Sequence, residues 1–302
     1  MRLKVYRRPA LLDAPSNLGL RPPAPGTVPG CYKLPGALRD RGLQRHLAAE
    51  DAGCVTPPRY DRGRWQSGDG VFNAAAMATY TVSLANRIEA LLEDDSFPIV
   101  LGGDCSILLG STLALSRRGR YGLVFVDGHD DFRHLGNSTN IGAAAGEDLA
   151  LVTGRGQADL TDLEGRRPYL RDSDVVVVGV RDEEQNQDEL DDLGIPVWSV
   201  SRIRQEGAAA AAGAALAHLE QAKLDGFWVH LDVDVLDPSV MPAVDSPDPG
   251  GLQHDELIAL LSPLLAAPGC TGFQVTIFDP DLDPDGRLAG ELTNTLVTSM
   301  RG

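Results

Sequence analysis

Two acidic stretches carry the residues best suited to chemistry. Asp127-Gly128-His129-Asp130-Asp131 follows the apolar run Gly122 to Val126, and His230-Leu231-Asp232-Val233-Asp234 continues out of Phe227-Trp228-Val229. Alternate residues of an extended segment point to one side. Asp127, His129 and Asp131 therefore converge from the first stretch, and Asp232 with Asp234 from the second. Carboxylates gathered in this way repel one another unless cations lie between them. Hard oxygen ligands with imidazole suit Mn²⁺, and paired divalent ions lower the pKa of a shared water toward neutrality. The pattern predicts a site for one or two divalent metals.

Such a site needs strands that end where the acids begin. Continuous apolar runs predict strands at Lys4–Tyr6, Pro98–Leu101, Gly122–Val126, Val175–Val180, Pro196–Val200, Phe227–Val233 and Phe273–Phe278, a composition that suits parallel strands covered on both faces. Helical patterns lie between them at Val71–Leu92, Gln205–Leu224 and His254–Leu265, while Pro22–Gly36 reads as a loop. This alternation predicts an α/β fold, a doubly wound, mostly parallel sheet in one domain over residues 1–302. Ligands of such sheets bind beyond the carboxyl ends of the strands. Both acidic stretches fall there, and so does Gly102-Gly103-Asp104-Cys105-Ser106 after Pro98–Leu101.

The formal charge of −16, from 27 Lys+Arg against 43 Asp+Glu, argues against nucleic acid or an anionic membrane as partner and leaves a small-molecule substrate, a cationic one included. Cys31, Cys54, Cys105 and Cys270 are scattered, so reduced thiols and a cytoplasmic location are expected. The first residues lack the apolar core of a signal peptide, and no stretch suits a bilayer span.

At the three acidic or Gly-rich segments the chain resembles the arginase/agmatinase (ureohydrolase) family. Members carry Gly-Gly-Asp-His-Ser, Asp-Ala-His-x-Asp, Ser-x-Asp-x-Asp-x-x-Asp-Pro and a Gly-Gly turn, and this chain offers Gly102–Ser106, Asp127–Asp131, His230–Pro238 and Pro249-Gly250-Gly251 in that order. The resemblance runs from about Pro98 to the C terminus. It implies a three-layer α/β/α sandwich, a two-manganese centre, hydrolysis of linear non-peptide C–N bonds in amidine, guanidino or hydroxyguanidino amino-acid derivatives by a metal-bridging hydroxide, and a homo-oligomer. Carried over by position, Asp127 and Asp232 bridge the metals, His129 and Asp234 complete one site, and Asp131 serves the other.

Three departures bear on that reading. Cys105 stands where the family has a metal-binding His. As a thiolate it is a sixth ligand that makes the centre more negative and favours a softer metal; as a buried thiol it leaves a weak or vacant second position. The family's proton-shuttle His has no counterpart in Asn140-Ile141-Gly142-Ala143-Ala144-Ala145-Gly146-Glu147, which leaves His134 and Glu147 as candidates. The Glu that pairs with a guanidinium is replaced by Ile277, which argues against plain arginine or agmatine, with Asp279 adjacent. Arg155 and Arg181 are candidates for a substrate carboxylate and Glu184 for an amino group. His230 reads as a donor to a metal-binding carboxylate or as a core histidine. The alternative function is a non-catalytic, metal-containing relative that binds a small ligand.

Overall fold

The structure is a computed structural model that describes residues 7–182 and 186–301. Eight strands form one sheet: β1 Arg8–Ala14, β2 Glu50–Cys54, β3 Ser96–Gly102, β4 Tyr121–Val126, β5 Val175–Val178, β6 Val197–Trp198, β7 Gly226–Asp232 and β8 Cys270–Thr276. Their order is β2-β1-β3-β8-β7-β4-β5-β6, and every pairing is parallel. The Val-rich and Leu-rich strands β3, β4, β5 and β7 are almost wholly buried, as strands covered on both faces must be. Helices 74–93 and 108–118 pack together on one face; helices 208–221, 254–266 and 287–301 line the other. The three-layer, doubly wound fold is as expected.

Several elements differ from expectation. The strand expected at Lys4–Tyr6 lies outside the described residues, and β1 begins at Arg8. The helix expected over Gln205–Leu224 is two helices, Val200–Glu206 and Ala208–Gln221, parted at Gly207 with φ 100°. Pro22–Gly36 ends not as a plain loop but in a 3-10 turn, Gly30–Lys33, leading into helix Leu34–Asp40. Among the described residues no helix is long and apolar enough to cross a membrane.

After β3 the chain passes over two sheet positions to β4, and β7 and β8 later fill the gap. The carboxyl ends of these four adjacent strands meet at the point where strand order reverses, the place such sheets reserve for ligands.

Candidate metal centre

Each strand end bends sharply, and local hydrogen bonds explain how. Beyond β3, Gly103 lies so close to the backbone of Ser16 that an added Cβ would sit 1.6 Å from its carbonyl oxygen. Asp104 then accepts from Ser16 Oγ (2.7 Å) and from the Ser106 amide (2.9 Å), which turns Cys105 inward. Beyond β4, Asp127 accepts from the amide of His129 (2.7 Å), and beyond β7, Asp232 accepts from the amide of Asp234 (2.7 Å). In both cases one carboxylate oxygen shapes its own turn and leaves the other for the centre. Beyond β8, the Ile277 amide donates to the Gly103 carbonyl (2.7 Å), and Ile277 holds a positive φ of 78°.

These turns assemble two donor sets that share Asp127. Cys105, Asp127, His230 and Asp232 form one, and Asp127, His129 and Asp234 the other, with the ligand atoms of each set within 4.8 Å of one another. Cys105 Sγ lies 2.8 Å from Asp232 Oδ2 and 3.0 Å from Thr276 Oγ1. His129 Nδ1 lies 3.0 Å from Asp234 Oδ2, and its Nε2 lies 3.2 Å from Asp248 Oδ2. Asp127 Oδ2 is buried without a hydrogen-bond partner, 4.0 Å from His230 Nε2, which is also unpartnered. Buried polar atoms rarely stay unpaired, and a carboxylate oxygen facing a thiol and further carboxylates accounts for itself as a cation ligand. The donor sets therefore fit divalent metal. Asp131 lines the same cavity but stands outside both sets.

Electrostatics agree with this geometry. Burial, reinforced by the neighbouring carboxylates, pushes Asp127, Asp131 and Asp232 well above the usual carboxylate range. Asp234 goes the other way: burial opposes its ionisation, but the charge and hydrogen bond of His129 outweigh it. Desolvation works against the His129 imidazolium as well, yet Asp234, Asp131 and Asp248 raise it to about 11. Burial first, then Asp232 and other acids, keep the Cys105 thiol protonated far above its ordinary range. Protons and the His129 imidazolium thus balance the acids of the metal-free protein, and metal binding must release them.

The family model described as Arginase family matches residues 27–302. The chain belongs to the arginase family. It is 27% identical to an arginase of Bacillus caldovelox over 93% of each chain, and 32% identical to an arginase of Brevibacillus brevis over 68% of this chain and 69% of that one. The solved Bacillus caldovelox arginase superposes with a TM-score of 0.87 at 26% identity, covering 98% of this chain and 99% of that one. Membership makes the chain a metal-dependent hydrolase of linear amidine-type C–N bonds, with Cys105 in the place of a family histidine.

A chain of buried hydrogen bonds fixes the His230 ring. Trp228 Nε1 can only donate, and it points at Gln274 Oε1 (3.0 Å), which also accepts from Ser111 Oγ (2.6 Å). The Gln274 amide is thereby oriented, so its NH₂ donates to His230 Nδ1 (2.7 Å). The ring then carries its proton on Nε2, the atom facing Asp127, and that nitrogen has no lone pair to give a metal. Burial pulls the His230 pKa down to about 3, so a second proton on the ring is excluded at neutral pH. Room for the chain of bonds comes from Gly272, whose added Cβ would meet the Trp228 ring at 2.1 Å. Of the two sequence readings, the structure shows a buried ring satisfied at Nδ1, with Nε2 turned toward Asp127 and making no hydrogen bond to a carboxylate.

The remaining candidates disperse. Arg155 is forked onto Asp172 (2.7 and 2.9 Å) and stacks over Phe132, away from the cavity. Arg181 is buried and donates to the carbonyls of Asp234 (2.8 Å) and Asp248 (2.7 Å), where it braces the two loops. Asp279 accepts from the amides of Gly30 and Asp281 and caps a turn. His134 faces Glu189 at 2.9 Å, and Glu147 is turned to the Gly142 amide at 2.6 Å; neither lines the cavity. Glu184 lies outside the described residues. Ile277 does line the cavity, as its position in the sequence suggested. Asp148 escaped sequence reading. It is fully buried beside the centre, with Oδ2 unpartnered and its pKa pushed up by burial and by Asp131 and Asp232. Its one signal was a charge set in the apolar run Ala143–Leu151.

Proposed function

We propose that the chain, working as one domain, hydrolyses an amidine-type amino-acid derivative at a centre of two Mn²⁺ ions. Asp127 and Asp232 would hold both ions, His129 and Asp234 one of them, and Cys105 with Asp131 the other. Bound there, the metals supply a water of lowered pKa and a Lewis-acid surface at neutral pH. The observation that carries the reading is the convergence of Cys105, Asp127, His129, Asp232 and Asp234 at the carboxyl ends of β3, β4 and β7, with Asp127 common to both groups.

The surrounding residues do the rest. The Asp127 and Asp232 carboxylates are held by their own turn amides, so they meet an ion pre-oriented. His230 Nε2 lies 4.0 Å from Asp127 Oδ2, beyond hydrogen-bond reach, and leaves that oxygen free for an ion. Arg181 fixes the loops of Asp234 and Asp248. Ile277 offers no charge to a guanidinium, so guanidinium substrates such as arginine are disfavoured. We further propose a cytoplasmic homo-oligomer, in keeping with the sequence-level resemblance.

The test is metal content by plasma mass spectrometry after Mn²⁺ loading, with ammonia or urea release assayed on a panel of amidines, hydroxyguanidines and guanidines. Turnover that needs Mn²⁺ and disappears on chelation supports the reading. Two bound metals with no turnover across the panel would instead favour the non-catalytic alternative.

A further inference from the structure

The cavity above the centre, about 430 Å³, is lined by two guanidinium groups that no carboxylate among the described residues pairs with. Arg133 donates from Nε to the Gly146 carbonyl (3.1 Å). It can lie there only because residue 146 is glycine, since an added Cβ would sit 1.7 Å from Arg133 Nη2. Arg21 donates to Asn140 Oδ1 (3.1 Å), and its guanidinium carbon lies 5.7 Å from the Trp65 ring centre and 5.9 Å from that of Phe72. Arg62 lies over the same two rings at 5.2 and 5.1 Å, so the aromatic pair is shared by two cations.

Neither Arg21 nor Arg133 reaches ion-pair distance of a carboxylate among the described residues, whereas Arg39, Arg117, Arg120 and Arg155 all do. In a chain with an excess of acids this is a choice of placement rather than a shortage of partners. Both side chains line the cavity together with Asp131, Asn140 and Gly146, so the two lie around one region beside the centre. Their remaining N–H groups match the geometry of a carboxylate, which guanidinium binds as a fork. Ile277 lines the same cavity with a side chain that cannot balance positive charge.

We propose that Arg133 and Arg21 bind a carboxylate at the end of the substrate remote from the scissile C–N bond, and that the head beside Ile277 is uncharged. The preferred substrate is then a short net anion, such as an N-hydroxyamidino acid, opposite in charge to the cation that the overall acidity of the chain suggests; a ureido acid mimics its neutral head. This rests on the hydrolase reading for the position of the scissile bond, but recognition of the tail does not require turnover.

The experiment is calorimetric titration of the Mn²⁺-loaded protein with 4-ureidobutanoate, its amide 4-ureidobutanamide, and agmatine. The carboxylate should bind about tenfold or more tighter than the amide, the worth of one charge-assisted contact, and agmatine should bind most weakly. Arg133→Met should bring the carboxylate-to-amide ratio near unity with metal content unchanged. Gly146→Ala, which displaces the same guanidinium without removing it, should do so in part. Equal binding of acid and amide, no binding of either, or a ratio that survives both substitutions would overturn the proposal. Tail selectivity in a protein that hydrolyses nothing on the substrate panel would leave this inference standing and remove the hydrolytic one; metal-dependent turnover without tail selectivity would do the reverse.

Discussion

Glu147 allows a prediction whose sign and size both follow from its surroundings. The side chain is 2% exposed, and its Oε1 accepts from the Gly142 amide in the loop where the family carries its shuttle histidine. Burial raises its pKa from 4.5 to about 7, against the opposing pull of the Gly142 amide and of Arg133 and Arg21. A carboxyl with a raised pKa binds its proton more tightly when folded. Its contribution is therefore fully present below the unfolded pKa and is lost as pH rises through the folded one. The full loss amounts to about 2.5 pH units at ~1.4 kcal/mol each, or about 3.5 kcal/mol, of which about 3 kcal/mol falls above pH 4.5. Glu147→Gln keeps an acceptor for Gly142 and removes the charge. Urea unfolding of wild type and variant from about pH 4.5 to about pH 8 should show the variant gaining about 3 kcal/mol on the wild type across that window. Activity should change less than about threefold, because the carboxyl does not line the cavity. A stability difference independent of pH would refute the account of a proton held by burial. A large loss of turnover in a well-folded variant would place Glu147 in proton transfer after all.

Three further outcomes follow. Gly103→Ala forces a Cβ against the Ser16 backbone at 1.6 Å, with no flexible atom to yield; a loss of more than about 3 kcal/mol in denaturant titration is expected. Cys105→His supplies an imidazole to the first donor set and should raise Mn²⁺ occupancy per chain measured by mass spectrometry, whereas Cys105→Ala should lower it; unchanged occupancy in the alanine variant would remove the thiol from the ligand set. Trp228→Phe removes the donor that orients Gln274, so nitrogen NMR of the His230 ring, a single Nε2–H tautomer in the wild type, should show a mixture.

Much of the fold was legible because β3, β4, β5 and β7 are apolar runs cut off by Gly or Asp, where period and punctuation agree. β2 was not, since Glu50-Asp51-Ala52-Gly53-Cys54 is a largely exposed edge whose residues are poor strand formers, held by its pairing to β1. The helix Leu108–Arg118 was hidden because it follows β3 after a short turn, with no polar stretch to mark its start. At the site, the two acidic stretches were visible from their spacing, but the turns beyond β4 and β7, closed by the Asp127 and Asp232 carboxylates, bring Asp127, His129, Asp232 and Asp234 together and leave Asp131 outside. Arg155 and Arg181 could not be placed in that way: whether an arginine faces a ligand or a structural carbonyl depends on which distant segment lies across from it. Asp148 and Arg133 were missed for the same reason: both lie between β4 and β5, Arg133 lining the cavity and Asp148 buried at the start of helix Asp148–Val152.

Ile277 has a wider consequence. A β-branched residue at φ 78° carries a backbone that its own side chain disfavours by roughly 1–3 kcal/mol. The conformation persists because neighbours impose it, through the Gly103 carbonyl on one side and the Ala243 carbonyl, which accepts the Asp279 amide, on the other. The frame is therefore indifferent to what it displays, and the position behaves as a socket. Exchanging the side chain at 277 changes the charge offered to a ligand while leaving the turn in place. Substrate preference in this scaffold can thus drift one residue at a time without the architecture having to be rebuilt.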